Sequence, residues 1–178
     1  MLLQDKIAVI YGGGGSVGGV AARTFAKEGA HVFVVGRTKE PIEEIAAEIR
    51  ADGGSVNTAL VDAADLASVE QHLDAVIAVH GRVDVSMNAT SLHGELQGTP
   101  LGEMPVEDFT LPAVTALTSN FCTATAAARR MTATGGGVIL TMSTGMACGS
   151  YACAQTPCRR RGASYSIPSI RPTRSSST

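Results

Sequence analysis

A doubly wound α/β fold built on a parallel sheet is the architecture expected of this chain. Two patterns point to it. Five short β-type runs, mostly apolar on both faces, recur between Lys6 and Ser143, as strands do when helices cover both faces of a sheet. Helical stretches of about 10–15 residues separate them, and that alternation builds right-handed βαβ crossovers. The 178 residues suit one domain, and a chain of this size buries roughly 70% of its unfolded surface.

The elements follow in order. Residues 6–11 (KIAVIY) form the first run, and the Ala-rich residues 17–28 after it read as a helix stopped by Gly29. The second run, residues 31–35 (HVFVV), leads to a helix over residues 41–51, with Pro41 in its first turn and Gly53-Gly54 beyond its end. After a third run over residues 56–61, Asp65 is a natural N-cap. The helix it starts carries one apolar stripe of Leu66, Val69, Leu73, Val76 and Ile77. A fourth run spans residues 83–88, a last helix lies within residues 109–134, and the fifth run is residues 138–143 (VILTMS). Residues 91–112 lack a clear period; they are either a plain connection or a loop facing substrate, since such folds bind ligands beyond the C-terminal strand ends.

Composition excludes several classes. With 44% hydrophobic and 17% charged residues the chain is not disordered as a whole. No apolar run approaches the ~18 residues of a membrane span, and Asp5 and Lys6 do not suit a signal peptide, so the expected address is the cytoplasm. Free thiols are then expected of the four cysteines. Charge is lopsided: residues 1–108 hold all sixteen acidic side chains against seven Lys/Arg, while residues 109–178 hold seven Arg and no acid. Arg159-Arg160-Arg161 lacks aromatic partners for nucleic acid, and the spacing of Cys148, Cys153 and Cys158 is unlike zinc-site pairs. No metal, nucleic-acid or membrane partner is expected. His72, His80 and His93 read as surface groups.

The first chemical signal is the glycine cluster between strand one and helix one. Gly12, Gly13, Gly15, Ser16, Val17 and Gly18 span that turn, and Gly13, Gly15 and Gly18 satisfy G-x-G-x-x-G. Glycines here permit a tight turn and a close backbone approach, so a pyrophosphate can rest against the free N–H groups of the helix start. No Gly-Lys-Ser/Thr follows, which disfavours a nucleoside triphosphate. Strand two ends in Val35-Gly36-Arg37-Thr38, where an NAD site would carry an acid for the ribose 2′-hydroxyl. Arg37 instead offers a cationic fork, and Thr38 a hydroxyl, for a 2′-phosphate. NADP(H) is therefore favoured over NAD(H).

With Asp62 at the end of strand three and Met87-Asn88-Ala89-Thr90 at the end of strand four, the chain resembles the short-chain dehydrogenase/reductase family over residues 4–144. Gly12, Ser16 and Gly18 stand at the three turn glycines of that family, with Tyr11 in place of its threonine. The resemblance implies a Rossmann-like fold, with Asp62 bonding the adenine amino group and the backbone at Asn88 and Ala89 flanking the cofactor. Thr90 takes the place of a glycine. It also implies hydride transfer between nicotinamide and a carbonyl or secondary alcohol, a 3-oxoacyl-type reductase, and a homo-oligomer.

The same resemblance sets out a catalytic group. Thr144, with Ser143 beside it, falls at the serine that bonds substrate. The supporting asparagine position falls near Thr115-Ala116, with Asn120 one helical turn later. The tyrosine that acts as acid/base needs a lysine four residues on, because an unperturbed phenol titrates near ~10. Tyr151 comes only seven residues after Thr144 and is followed by Gln155; Tyr165 is followed by Ser169; no lysine follows Lys39. The expected domain is residues 1–144. Residues 145–178, rich in Ser, Arg, Pro and Cys without an acid or lysine, read as an irregular basic tail of a chain truncated after the fifth strand by a shifted reading frame. A cofactor-binding protein without turnover is the alternative to the enzyme.

Overall fold

The computed structural model describes residues 1–91 and 99–142. The strands are β1 (Ile7–Tyr11), β2 (His31–Gly36), β3 (Ser55–Leu60), β4 (Val85–Asn88) and β5 (Val138–Thr141). Between them run α1 (Ser16–Lys27), α2 (Lys39–Ala51), α3 (Leu66–His80) and α4 (Val106–Thr134), with a 3-10 turn over Leu101–Glu103. All five strands are parallel, in the order β3-β2-β1-β4-β5. The expected doubly wound sheet is what forms.

Strand alternation divides the core into two. Ile7, Val9, Tyr11, Phe33 and Val35 face α3 and α4, in a cluster with Val69, Leu73, Val76, Ala126, Ala127 and Met131. Ala8, Ile10, Val32 and Val34 face α1 and α2, packing with Ala22, Ala26, Ile42, Ile45 and Ile49. Because side chains alternate along a strand, a one-residue slip would exchange the two sets, and the register Ile7↔His31 through Tyr11↔Val35 is fixed by both cores at once. The flanking strands are less covered than their sequences suggest. Val56 alone is buried in β3, and all four residues of β5 are exposed, since each strand lies at an edge of the described sheet.

Local signals explain most element ends. α1 stops at Lys27, and Gly29 then takes φ +90 as its N–H bonds Ala26 O, a left-handed turn that glycine adopts without cost from a Cβ. Asp65 caps α3 as expected, accepting the Ala67 N–H at 3.1 Å. α4 begins earlier than expected, at Val106, and so absorbs the end of the 91–112 segment. Pro105 precedes its first turn and Pro112 lies inside the helix, and proline marks helix starts as well as helix breaks. Residues 92–98 lie outside the described part.

α3 and α4 are riveted by charge. Arg130 makes a two-pronged pair with Asp74 (Nε–Oδ1 2.8 Å, Nη2–Oδ2 2.7 Å) and bonds the Glu70 carbonyl, while Arg129 pairs with Glu70 at 2.9 Å. Two of the seven arginines in the basic half are thus spent on acids of the other half. Among the described residues no helix is long and apolar enough to cross a membrane.

Candidate functional site

Strand order reverses between β2-β1 and β1-β4, and in open α/β sheets the crevice beyond that reversal is where ligands bind. Here it is a cleft of about 240 Å³. Gly12, Gly14 and Gly15 from the β1 turn line it, with Gly36, Arg37 and Thr38 after β2, Val61, Asp62 and Ala63 after β3, and Thr90 and Ser91 after β4. Pro41 and Ile42 from the start of α2 complete the wall.

The glycine turn is built of backbone against backbone. Gly12 has φ +71, and a Cβ there would stand 2.5 Å from Ala89 O and 2.7 Å from Thr90 N. A Cβ on Gly18 would run into the Gly12 carbonyl, and one on Gly13 would lie 2.7 Å from the Val34 side chain. The turn closes through Gly15 N–H to Gly12 O (3.0 Å) and Gly13 N–H to Val35 O (2.9 Å). α1 then starts from Gly15 with no side-chain cap and no acidic residue in its first turn, and Ser16 and Val17 are exposed. A helix start without its own acceptor or negative charge presents N–H groups to an external anion. That, with the close approach that only glycine allows at Gly12 and Gly18, is the fit expected of a pyrophosphate cradle.

The polar rim is exposed. Arg37 and Thr38 stand in solvent at the cleft mouth, and Arg37 makes no ion pair or hydrogen bond among the described residues. Asp62 is also exposed, with one carboxylate oxygen accepting the Ala64 N–H at 2.9 Å. It therefore both lines the cleft and holds the loop before α3.

The β4 wall comes from Thr90 and Ser91, one step beyond the expected Asn88 and Ala89. Ala89 contributes backbone, its N–H bonding Tyr11 O at 2.9 Å. Asn88 is 4% exposed, and its amide is taken up within the protein, a network that no spacing in the sequence announced. Ser143, Thr144 and Tyr151, and the whole 145–178 tail with its cysteines and arginines, lie outside the described residues. Asn120 is described, and it bonds Asn88 at 2.8 Å.

Two aromatic rings carry buried polar atoms. Tyr11, at the position of the family's threonine, is wholly buried away from the cleft lining, and its hydroxyl has no partner among the described residues. Burial raises its pKa, only partly offset by Arg130. His72, expected at the surface, has both ring nitrogens buried and without a partner among the described residues. It stacks edge-on to Tyr11 and Phe33, with centroids 6.3 and 5.8 Å apart, and burial pushes its pKa down to about 4. The physical reason is position: His72 follows Val69 by three residues and adjoins Leu73, within the stripe of α3 that faces the core.

A glycine turn at an uncapped helix start, opening on the crevice of a parallel sheet, defines a Rossmann-like nucleotide-type α/β protein. Residues 6–156 match the short-chain dehydrogenase family, and the chain belongs to it. It is 31% identical over 141 residues to D-threitol dehydrogenase of Mycolicibacterium smegmatis, covering 79% of this chain and 53% of that one. It is 36% identical over 152 residues to L-rhamnose 1-dehydrogenase (NAD(P)(+)) of Azotobacter vinelandii, covering 80% and 57%. Among solved structures it is similar to the citronellol catabolism dehydrogenase (AtuB) of Pseudomonas aeruginosa, with TM-score 0.72 and 28% identity over 85% of this chain and 61% of that one. The chain spans about half the length of the curated relatives it matches.

Proposed function

We propose that this chain is the dinucleotide-binding part of an NADP(H)-dependent short-chain oxidoreductase acting on a carbonyl or secondary alcohol. The observation that carries the cofactor choice is Arg37 at the cleft mouth, without a partner among the described residues and beside the Thr38 hydroxyl. A guanidinium with no partner of its own in the described fold is free to take a 2′-phosphate in two parallel hydrogen bonds. Gly12, Gly13, Gly15, Ser16, Val17 and Gly18 hold the pyrophosphate, Asp62 the adenine amino group, and the backbone near Asn88 and Ala89 flanks the remainder. When bound, the dinucleotide supplies or accepts the hydride. The names of the relatives, a threitol and a rhamnose dehydrogenase, support an alcohol or its carbonyl as the partner molecule.

The test is nucleotide titration of the whole chain and of Arg37→Ala. Losing a charged hydrogen-bond pair raises the NADPH dissociation constant by roughly 10–100-fold, while NADH affinity stays within about twofold. Equal effects on both nucleotides would remove Arg37 as the selector.

A second reading rests on its own observation. No Tyr-x-x-x-Lys occurs in the sequence, since no lysine follows Lys39, and a tyrosine without such help is a poor base near neutrality. Thr144, Ser143 and Tyr151 stay the proposed catalytic group in the first reading; in the second the chain binds NADP(H) without turnover. Assay of NADPH oxidation with a panel holding a 3-oxoacyl ester, an aldose and a ketose separates the two.

A further inference from the structure

We propose that Asn120 on α4 is a positioning residue for the cleft, acting through Asn88 on the Thr90 turn. The inference rests on reading the cleft as the dinucleotide site. Asn88 Oδ1 accepts both the Thr90 N–H (3.1 Å) and the Thr90 hydroxyl (2.5 Å). Its Nδ2 donates to Asn120 Oδ1 (2.8 Å) and to Ser119 Oγ (3.0 Å). An amide has two donor hydrogens and two acceptor lone pairs, so all four are used. The orientation follows from chemistry. A backbone N–H can only donate, so the Asn88 oxygen faces Thr90, and its nitrogen then requires acceptors on α4.

What makes this network positional is where it ends. Thr90 lines the cleft, and its backbone nitrogen is one of the atoms that would stand 2.7 Å from a Cβ on Gly12. The Thr90 turn therefore sets both the β4 wall and the seat of the glycine turn. Thr90 matters in its own right: a glycine there would leave Asn88 Oδ1 with one donor instead of two. Asn88 is nearly inaccessible, so a partner lost from its amide is not replaced by bulk water. The free amide then turns toward a new partner, and the Thr90 turn loses its fixed place.

The experiment is a double-mutant cycle on NADPH binding by the full chain, with Asn120→Ala, Thr90→Val and the two combined. Each single change raises the dissociation constant about tenfold, the equivalent of one hydrogen bond. The double variant is no weaker than the weaker single, because both act through one amide. Thr90→Ser, which keeps the hydroxyl, restores wild-type affinity. Melting of the free variants checks folding, and a role confined to stability would lower their melting temperatures while leaving the NADPH constant unchanged. That result, or additive losses in the double variant, overturns the positioning role. Failure of the unmodified chain to bind NADPH would instead overturn the cofactor reading on which it rests.

Discussion

Gly12→Ala destabilises the chain by about 3 kcal/mol and removes dinucleotide binding. The left-handed backbone at φ +71 costs an L-residue ~1–2 kcal/mol, and forcing a methyl into a packed site costs typically ~1–3 kcal/mol more. The second term is at its firmest here, because the atoms in the way, Ala89 O at 2.5 Å and Thr90 N at 2.7 Å, are backbone and cannot rotate aside. For a chain of this size the melting temperature falls by roughly 10 °C. Gly53→Ala is the control. It has a similar φ of +79 but no atom within 4 Å of an added Cβ, so it carries only the conformational cost, ~1–2 kcal/mol, and leaves nucleotide affinity untouched. Thermal melts and titration of both variants check the pair, and equal losses from both would show that close approach of the two turns plays no part.

Acid weakens the fold through His72. Its pKa in the folded chain is about 4, against an ordinary 6.5, because burial against Tyr11 and Phe33 disfavours the charged ring. Above pH 6.5 the ring is neutral whether the chain is folded or not, and its contribution is complete. As pH falls from 6.5 toward 4 the unfolded chain binds a proton that the folded chain refuses, and stability drops by about 1.4 kcal/mol per pH unit, to a total of about 3 kcal/mol. Burial lowers His31 as well, with a smaller part from His80 in the same direction, while its bond to Asn57 opposes both, so some acid sensitivity persists without His72. His72→Leu should keep most of its pH 7.5 stability at pH 5, where the unmodified chain loses about 2 kcal/mol. Parallel pH curves for the two proteins would contradict the burial of the ring.

How much of this was legible follows from the range over which each signal acts. The strands and the first three helices declare themselves because apolar period and caps are local: residues 6–11, the Asp65 cap and the stripe from Leu66 to Ile77 each contain their own instruction. The glycine cradle is equally local, with Gly12 to Gly18 on one turn. The early start of α4 was hidden by Pro105 and Pro112, since proline marks a helix start and a helix break with the same letter. The exposure of β3 and β5 depends on which strands take the edges, which apolar content does not encode. The Asn88 network joins residues about thirty apart and became visible only when β4 met α4. His72 had a readable clue in its place between Val69 and Val76, but a histidine's polar character outweighed it.

The glycine turn and Arg37 together are the proposed NADP(H) site. Melting of the purified full chain with and without NADPH, with NADH as control, tests it most directly. Nucleotide at ~100 times its dissociation constant adds ~2.7 kcal/mol to the folded state, which is roughly 5–10 °C here. A shift of that size with NADPH and a much smaller one with NADH is the predicted result. A cooperative melt that neither nucleotide moves would contradict the cofactor site itself, and equal shifts would contradict the selection by Arg37.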